Sequence, residues 1–107
     1  MRAYKLLKQR RDGTLGPPFI HQSLRIPIGV KMEAEDHPTV GYAHRPGWHC
    51  FARPEAPHLK KAANRVWCEV EVEDYTEHQR AERYGGLMFL SRFMTVLRVL
   101  GPTPYGD

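Results

Sequence analysis

The segment Arg65–Asp74, RVWCEVEVED, decides the fold. Its residues alternate without a break. Val66, Cys68, Val70 and Val72 share one face, while Arg65, Trp67, Glu69, Glu71 and Glu73 share the other. A period of two is that of a half-buried strand. The valine face is expected in the core and the charged face in water, with Trp67 as the one anomaly on the wet side. The three glutamates stand at intervals of about 7 Å along such a strand. A ladder of this kind can polarise a ribose or balance a cationic partner. The simpler expectation is the wet side of an antiparallel sheet, paired with Lys or Arg on a neighbouring strand.

Just upstream lies Gly41–Leu59, GYAHRPGWHCFARPEAPHL, which is rich in histidine, aromatic residues and proline. Arg45-Pro46-Gly47 reads as a turn, since proline presets one corner and glycine permits the next. Trp48 to Phe51 then runs extended, so Trp48 and Cys50 point one way and His49 and Phe51 the other. Val40–His44 can form a short strand. Pro54 and Pro57 bracket what reads as a single helical turn.

The remaining elements are shorter. Arg2–Arg10 reads as a first strand, with Tyr4 and Leu6 on one face and Lys5 on the opposite one. Asp12-Gly13 is a hairpin turn signal. Gly16-Pro17-Pro18 stops the returning segment, and Phe19 and Ile20 are expected in the core. Leu24–Ile28 alternates, but Pro27 confines it to an edge or irregular strand. Residues 31–39 read as a surface loop, and Tyr75–Tyr84 as a loop or frayed helix. The spacing of Leu87, Leu90 and Phe93/Met94 suits a short helix, with a strand as the alternative, and Thr95–Leu100 reads as a closing strand. The expected fold is α+β: a small, mainly antiparallel sheet of five or six short strands with one or two short helices.

Composition bounds the rest. The chain has 107 residues with 41% hydrophobic content, consistent with a single domain, 1–107, ending in a loose tail at about 101–107. The formal net charge is +4. Arg2, Lys5, Lys8, Arg10 and Arg11 precede the first acid, a patch that suits phosphate or an acidic protein surface. The simpler alternative is an ordinary solvated strand face. Two cysteines without CxxC spacing argue against a disulfide scaffold. No apolar run approaches the length of a membrane span, and a cytoplasmic setting is expected.

Candidate chemistry centres on Gly41–Leu59. His44, His49, Cys50, His58 and Cys68 are metal-ligand types, but strand alternation separates His49 from Cys50 and no pair has zinc spacing. Neither a metal nor a cofactor is expected. No hydrolase signature surrounds Cys50, so catalytic residues are left unassigned. Recognition fits better. Tyr42, His44, Arg45, Trp48, Arg53 and His58 combine aromatics with cations around a rigid turn. Trp48 either anchors a partner or plugs the core. The expected partner-binding set is Tyr42, His44, Arg45, His49 and Arg53 with Lys5, Lys8, Arg10 and Arg11 of the first strand.

Tyr4-Lys5, then Gly47-Trp48-His49-Cys50 followed by Pro54, then Glu69-Val70-Glu71, together resemble small phage and prophage proteins of unknown function. Those carry an opening YK strand, a G-[FW]-H-C segment and a later E-V-E strand. The resemblance spans roughly positions 3 to 100. It implies a non-enzymatic protein in the cytoplasm of a host bacterium. Such a protein would bind, and as an inhibitor modulate, a defence or nucleic-acid-handling complex. The partner would be a host protein or nucleoprotein complex, with direct nucleic-acid contact through the basic first strand as one alternative. The order of elements is also similar to a compact ADP-ribosyltransferase-like core. That likeness implies a nicotinamide dinucleotide facing Lys5 or Tyr4, His49 and one of Glu69 or Glu71.

Overall fold

A computed structural model describes residues 1–17, 24–34, 47–54 and 64–101. The expected strand at 40–44, the core placement of Phe19 and Ile20, most of the Arg45-Pro46-Gly47 turn and of the Pro54–Pro57 turn, and the tail after Gly101 lie outside these residues. The described elements are β1 (Arg2–Gln9), β2 (Leu15–Gly16), β3 (Lys31–Glu33), β4 (Trp48–Phe51), β5 (Arg65–Gln79) and β6 (Leu87–Gly101), with a short 3-10 turn at Glu82–Tyr84. The named strands form one six-stranded sheet in which every pairing is antiparallel.

The pairings run in a ring. β5 takes β1 along one edge, Arg2 opposite Glu71 through Lys8 opposite Arg65, and β6 along the other. β4 pairs with β6, Trp48 opposite Ser91 through Phe51 opposite Met88. It also meets β1 at Tyr4 opposite Phe51. The circuit β1–β5–β6–β4–β1 therefore closes on itself. At one end a second bridge completes it. Ile26 N donates to Leu15 O of β2, and Gly29 N donates to Val96 O of β6. A closed sheet encloses a core and leaves few strand edges exposed.

The enclosed core holds Ala3, Leu7, Trp48, Cys50, Val66, Cys68, Val70, Val72, Phe89, Met94 and Val96. The valine face of β5 thus points inward, as its alternation requires. Trp48 is core too, and its indole N–H donates to Met32 O at 3.0 Å, tying β4 to β3. A second cluster lies on the outer face: Leu6, Phe51, Trp67 and Met88, with Tyr4, Leu90 and Leu100 packed against it. Trp67 stands edge-on to Phe51 at 5.8 Å. This explains the indole on the otherwise charged side of β5.

Three expectations are corrected. Residues 87–93 are strand, not helix, so among the described residues the only helical element is the 3-10 turn. Residues 75–79 continue β5 rather than forming a loop or helix, and 31–33 form a strand. The reason is a shared change of phase in the long β5–β6 hairpin. Asp74 has φ 57°, a left-handed value rare for a side-chain-bearing residue. Opposite it, the inward positions of β6 pass from Leu87, Phe89 and Ser91 to Met94 and Val96. One strand with a phase slip reproduces the three-and-four spacing of a helix. Leu24–Ile28 is reduced to one parallel bridge, Ile28 with Val96.

Ser91 secures the slip. Its hydroxyl is fully buried and lies 2.9 Å from Glu73 O and 2.6 Å from Phe93 O, carbonyls of both strands. Gly47 sits against the same point at φ 122°, where an added Cβ would come 3.2 Å from Ser91 O. Replacing Ser91 by Ala removes a donor shared by two carbonyls and is expected to lower stability by about 1–3 kcal/mol. Urea unfolding measures this; a loss well under the lower figure would show that the hydroxyl does not hold the bend.

Candidate partner-binding surface

The outer face of the β1–β5 pair reads as a ladder of four rungs. They are Arg2/Glu71, Tyr4/Glu69, Leu6/Trp67 and Lys8/Arg65. The first two rungs are compensated. Glu69 accepts from Arg2 and from Arg98 of β6, the latter at 3.2 Å. Hydrogen bonding from Arg98, aided by the Arg2 charge and opposed by desolvation, holds its carboxyl below the usual range. Glu71 lies 3.5 Å from Arg2 and 2.9 Å from the Met1 amine. Glu73 pairs with Lys31 at 3.2 Å. All three glutamates of the sequence ladder are thus bound to cations of neighbouring strands. These include the two that a dinucleotide site would use.

The last rung joins two cations: Lys8 stands directly opposite Arg65, and both are half-buried. Arg11 is exposed at the tip of the β1–β2 hairpin. Arg10 donates to Leu15 O at 2.9 Å and Leu24 O at 3.0 Å, which fixes a guanidinium on backbone carbonyls. The hairpin itself is set by Asp12, whose carboxylate accepts from Thr14 N and Thr14 Oγ1. Those bonds, with lesser help from Arg25, draw its pKa down to about 2. At this end Asp12 is the one acid among the described residues; the other described acids lie on β3, on β5 from Glu69 onward and in the Glu82–Tyr84 turn.

The expected binding residues are thereby divided. Lys8, Arg10 and Arg11 come together at the basic end. Arg53 pairs with Glu82 on the far side. His49 is half-buried on β4. Tyr42, His44 and Arg45 lie outside the described residues. Lys5 does not belong to the surface patch. It shares the inward face with Ala3 and Leu7, opposite Cys68, and the Tyr4–Phe51 register places Cys50 on its other side. Its ammonium donates to His49 O at 2.7 Å and stands 5.9 Å from the Trp48 ring centre. Burial lowers its pKa from 10.5, against the pull of the two thiols. Burial likewise raises Cys50 to about 11 and Cys68 to about 12, against the attraction of Lys5. Thiols so placed are poor nucleophiles near neutral pH.

Sequence reasoning missed two things here: the inward aim of Lys5 and the Lys8–Arg65 rung. Ala3 and Leu7 in phase with Lys5 carried the signal for the first. The second is a property of register, which one strand cannot supply. Among the described residues, no group of three or more His, Cys, Asp or Glu could hold a metal ion. No described helix is long and apolar enough to cross a membrane. No family model, curated protein or solved structure matches this chain.

The buried amine yields a prediction with a definite sign. Between its folded value and 10.5, the unfolded chain binds more protons at Lys5 than the folded chain does, so stability from this group rises with pH. The thiols act oppositely above their ordinary 9.0, because the folded chain keeps protons that the unfolded chain loses. Lys5→Met keeps the stem and removes the amine. Its stability relative to wild type is expected to be greatest near neutral pH and to shrink as pH rises toward 10.5. Urea titrations below the ordinary thiol value of 9.0, where both thiols stay protonated in either state, read the difference most cleanly. A difference that does not vary with pH would contradict the assignment.

Proposed function

We propose that this chain is a non-catalytic binding protein of the small phage and prophage kind. It docks on a host nucleoprotein complex, of defence or nucleic-acid-handling type, through its basic end. The observation that supports this reading is the Lys8–Arg65 rung, with Arg10 and Arg11 beside it. A cluster of cations at one end of the sheet presents a surface that an anionic partner matches, and such a surface steers association. The rigid placement of Arg10 on two carbonyls favours the same reading, because a fixed cation loses little freedom on binding.

Two measurements test it. Immobilised wild-type chain is expected to retain a stable complex from bacterial lysate. That capture should fall by roughly tenfold or more between about 50 and 200 mM salt. The double variant Lys8→Glu, Arg11→Glu is expected to lose it. Recovery of no partner by wild type, or equal recovery by the variant, overturns the proposal. Urea unfolding of the same double variant is expected to stay within about 1 kcal/mol of wild type, as for surface substitutions, so that lost capture is not a folding defect.

A further inference from the structure

We infer that the basic end engages the phosphate backbone of a nucleic-acid duplex, without regard to base sequence. The inference rests on the docking proposal above and names the component of the nucleoprotein complex that this surface touches. The excess charge of the chain gathers here. Among the described residues the end carries Lys8, Arg10, Arg11, Arg25 and Arg65 against the single acid Asp12. These five cations and one acid equal the whole formal net charge of +4, and the remaining eleven cations and eleven acids of the sequence cancel. A charge distribution with one positive pole steers a polyanion toward that pole.

The placement of the cations suits phosphate. Lys8 and Arg65 are direct cross-strand partners, a relation that sets their Cβ atoms about 5 Å apart. Two residues beyond Lys8, Arg10 is fixed by its bonds to Leu15 O and Leu24 O. Gly16 makes room for this guanidinium, since an added Cβ would come 2.5 Å from Arg10 Nη2 and 2.6 Å from Leu24 O. Arg25 donates to Thr14 Oγ1 at 2.7 Å and to Asp12 at 3.4 Å. Asp12 also accepts from Thr14 N and Thr14 Oγ1, so the one carboxylate of this end is engaged within the turn. Four of the five cations are arginines, whose planar donor fork matches phosphate oxygens.

The character of the surface selects nucleic acid over protein. From Lys8 to Thr14, and at Asn64 and Arg65, every side chain that meets solvent is polar. The exposed described tyrosines stand elsewhere, Tyr75 far along β5 and Tyr84 in the turn that follows it. Protein partners are held chiefly by aromatic and arginine anchors packed at the centre of a contact. Nucleic-acid interfaces are more polar and much more positive. Single strands are gripped by rings on which bases stack, whereas a surface of cations and hydroxyls meets the backbone of a duplex. Backbone contacts position a protein and carry no sequence information.

Fluorescence anisotropy of the full chain with a labelled DNA duplex of about 20 base pairs, at salt from about 50 to 200 mM, reads this contact. Binding is expected, with log affinity falling against log salt at a slope of about −2.7 for three phosphates to −4.5 for five. Two duplexes of unrelated sequence should bind within about twofold of each other. Lys8→Ala and Arg11→Ala should each make the slope shallower by about 1. Arg83→Ala, in the Glu82–Tyr84 turn at the opposite end of β5, should leave it unchanged. Absence of duplex binding, or a slope that neither Lys8→Ala nor Arg11→Ala alters, overturns the inference. Lysate capture that persists without duplex binding means docking on an acidic protein surface, so the inference falls while the docking proposal stands. Failure to capture any complex overturns the docking proposal, whatever the duplex shows.

Discussion

The fold depends on one narrow contact. β5 and β6 supply most of the sheet, but a hairpin with β1 on one edge is an open sheet until β4 reaches β1. That last pair is set by Tyr4 opposite Phe51, and little backbone pairing supports it. Side chains do the remainder. Leu6, Phe51, Trp67 and Met88 cover the junction from outside. From inside, the Lys5 ammonium reaches across to His49 O on β4. An amine in a core needs a reason, since burial disfavours its charged form. Here it supplies a hydrogen bond where the backbone pairing of the ring is sparsest.

The closed circuit in turn explains the irregularities of the long hairpin. Two strands of fifteen residues cannot stay straight and also wrap a core this small. The bend falls at Asp74 and Ser91, with a left-handed residue on one strand and a buried hydroxyl shared by two carbonyls on the other. Register shifts between Trp67 and Cys68 and between Glu69 and Val70 add curvature lower down. Bulges of this kind increase local twist and let a sheet close. Past the bend β6 stays in the ring through β4, while β5 pairs with β6 alone among the described residues and stands exposed.

Legibility in the sequence followed from how local each cause was. The inward valines of β5 were plain, because alternation is a property of one strand. The aim of Trp48 and Cys50 followed in the same way. The β6 strand was hidden, because its phase slip imitates a helical period and the cause lies across the hairpin at Asp74. Tyr75–Gln79 looked like loop for a related reason: exposed on both faces, it has no apolar alternation to show, and only pairing with β6 makes it strand. At the candidate surface, a basic start was visible, but which cations gather was not. Lys5 left the patch because its neighbours Ala3 and Leu7 face the core, and Arg65 joined it through the register of β1 on β5.

The basic end around Lys8 and Arg65 is set by the register of β1 on β5, and β1 is the strand on which the ring closes. Cross-strand NOEs on isotopically labelled chain test that closure most directly. Tyr4 should show contacts to Glu69 of β5 and to Phe51 of β4 in one spectrum, with β4 also in contact with β6 through Cys50 and Phe89. Contacts from Tyr4 to β5 alone, with β4 touching only β6, would mean an open sheet and would contradict the account.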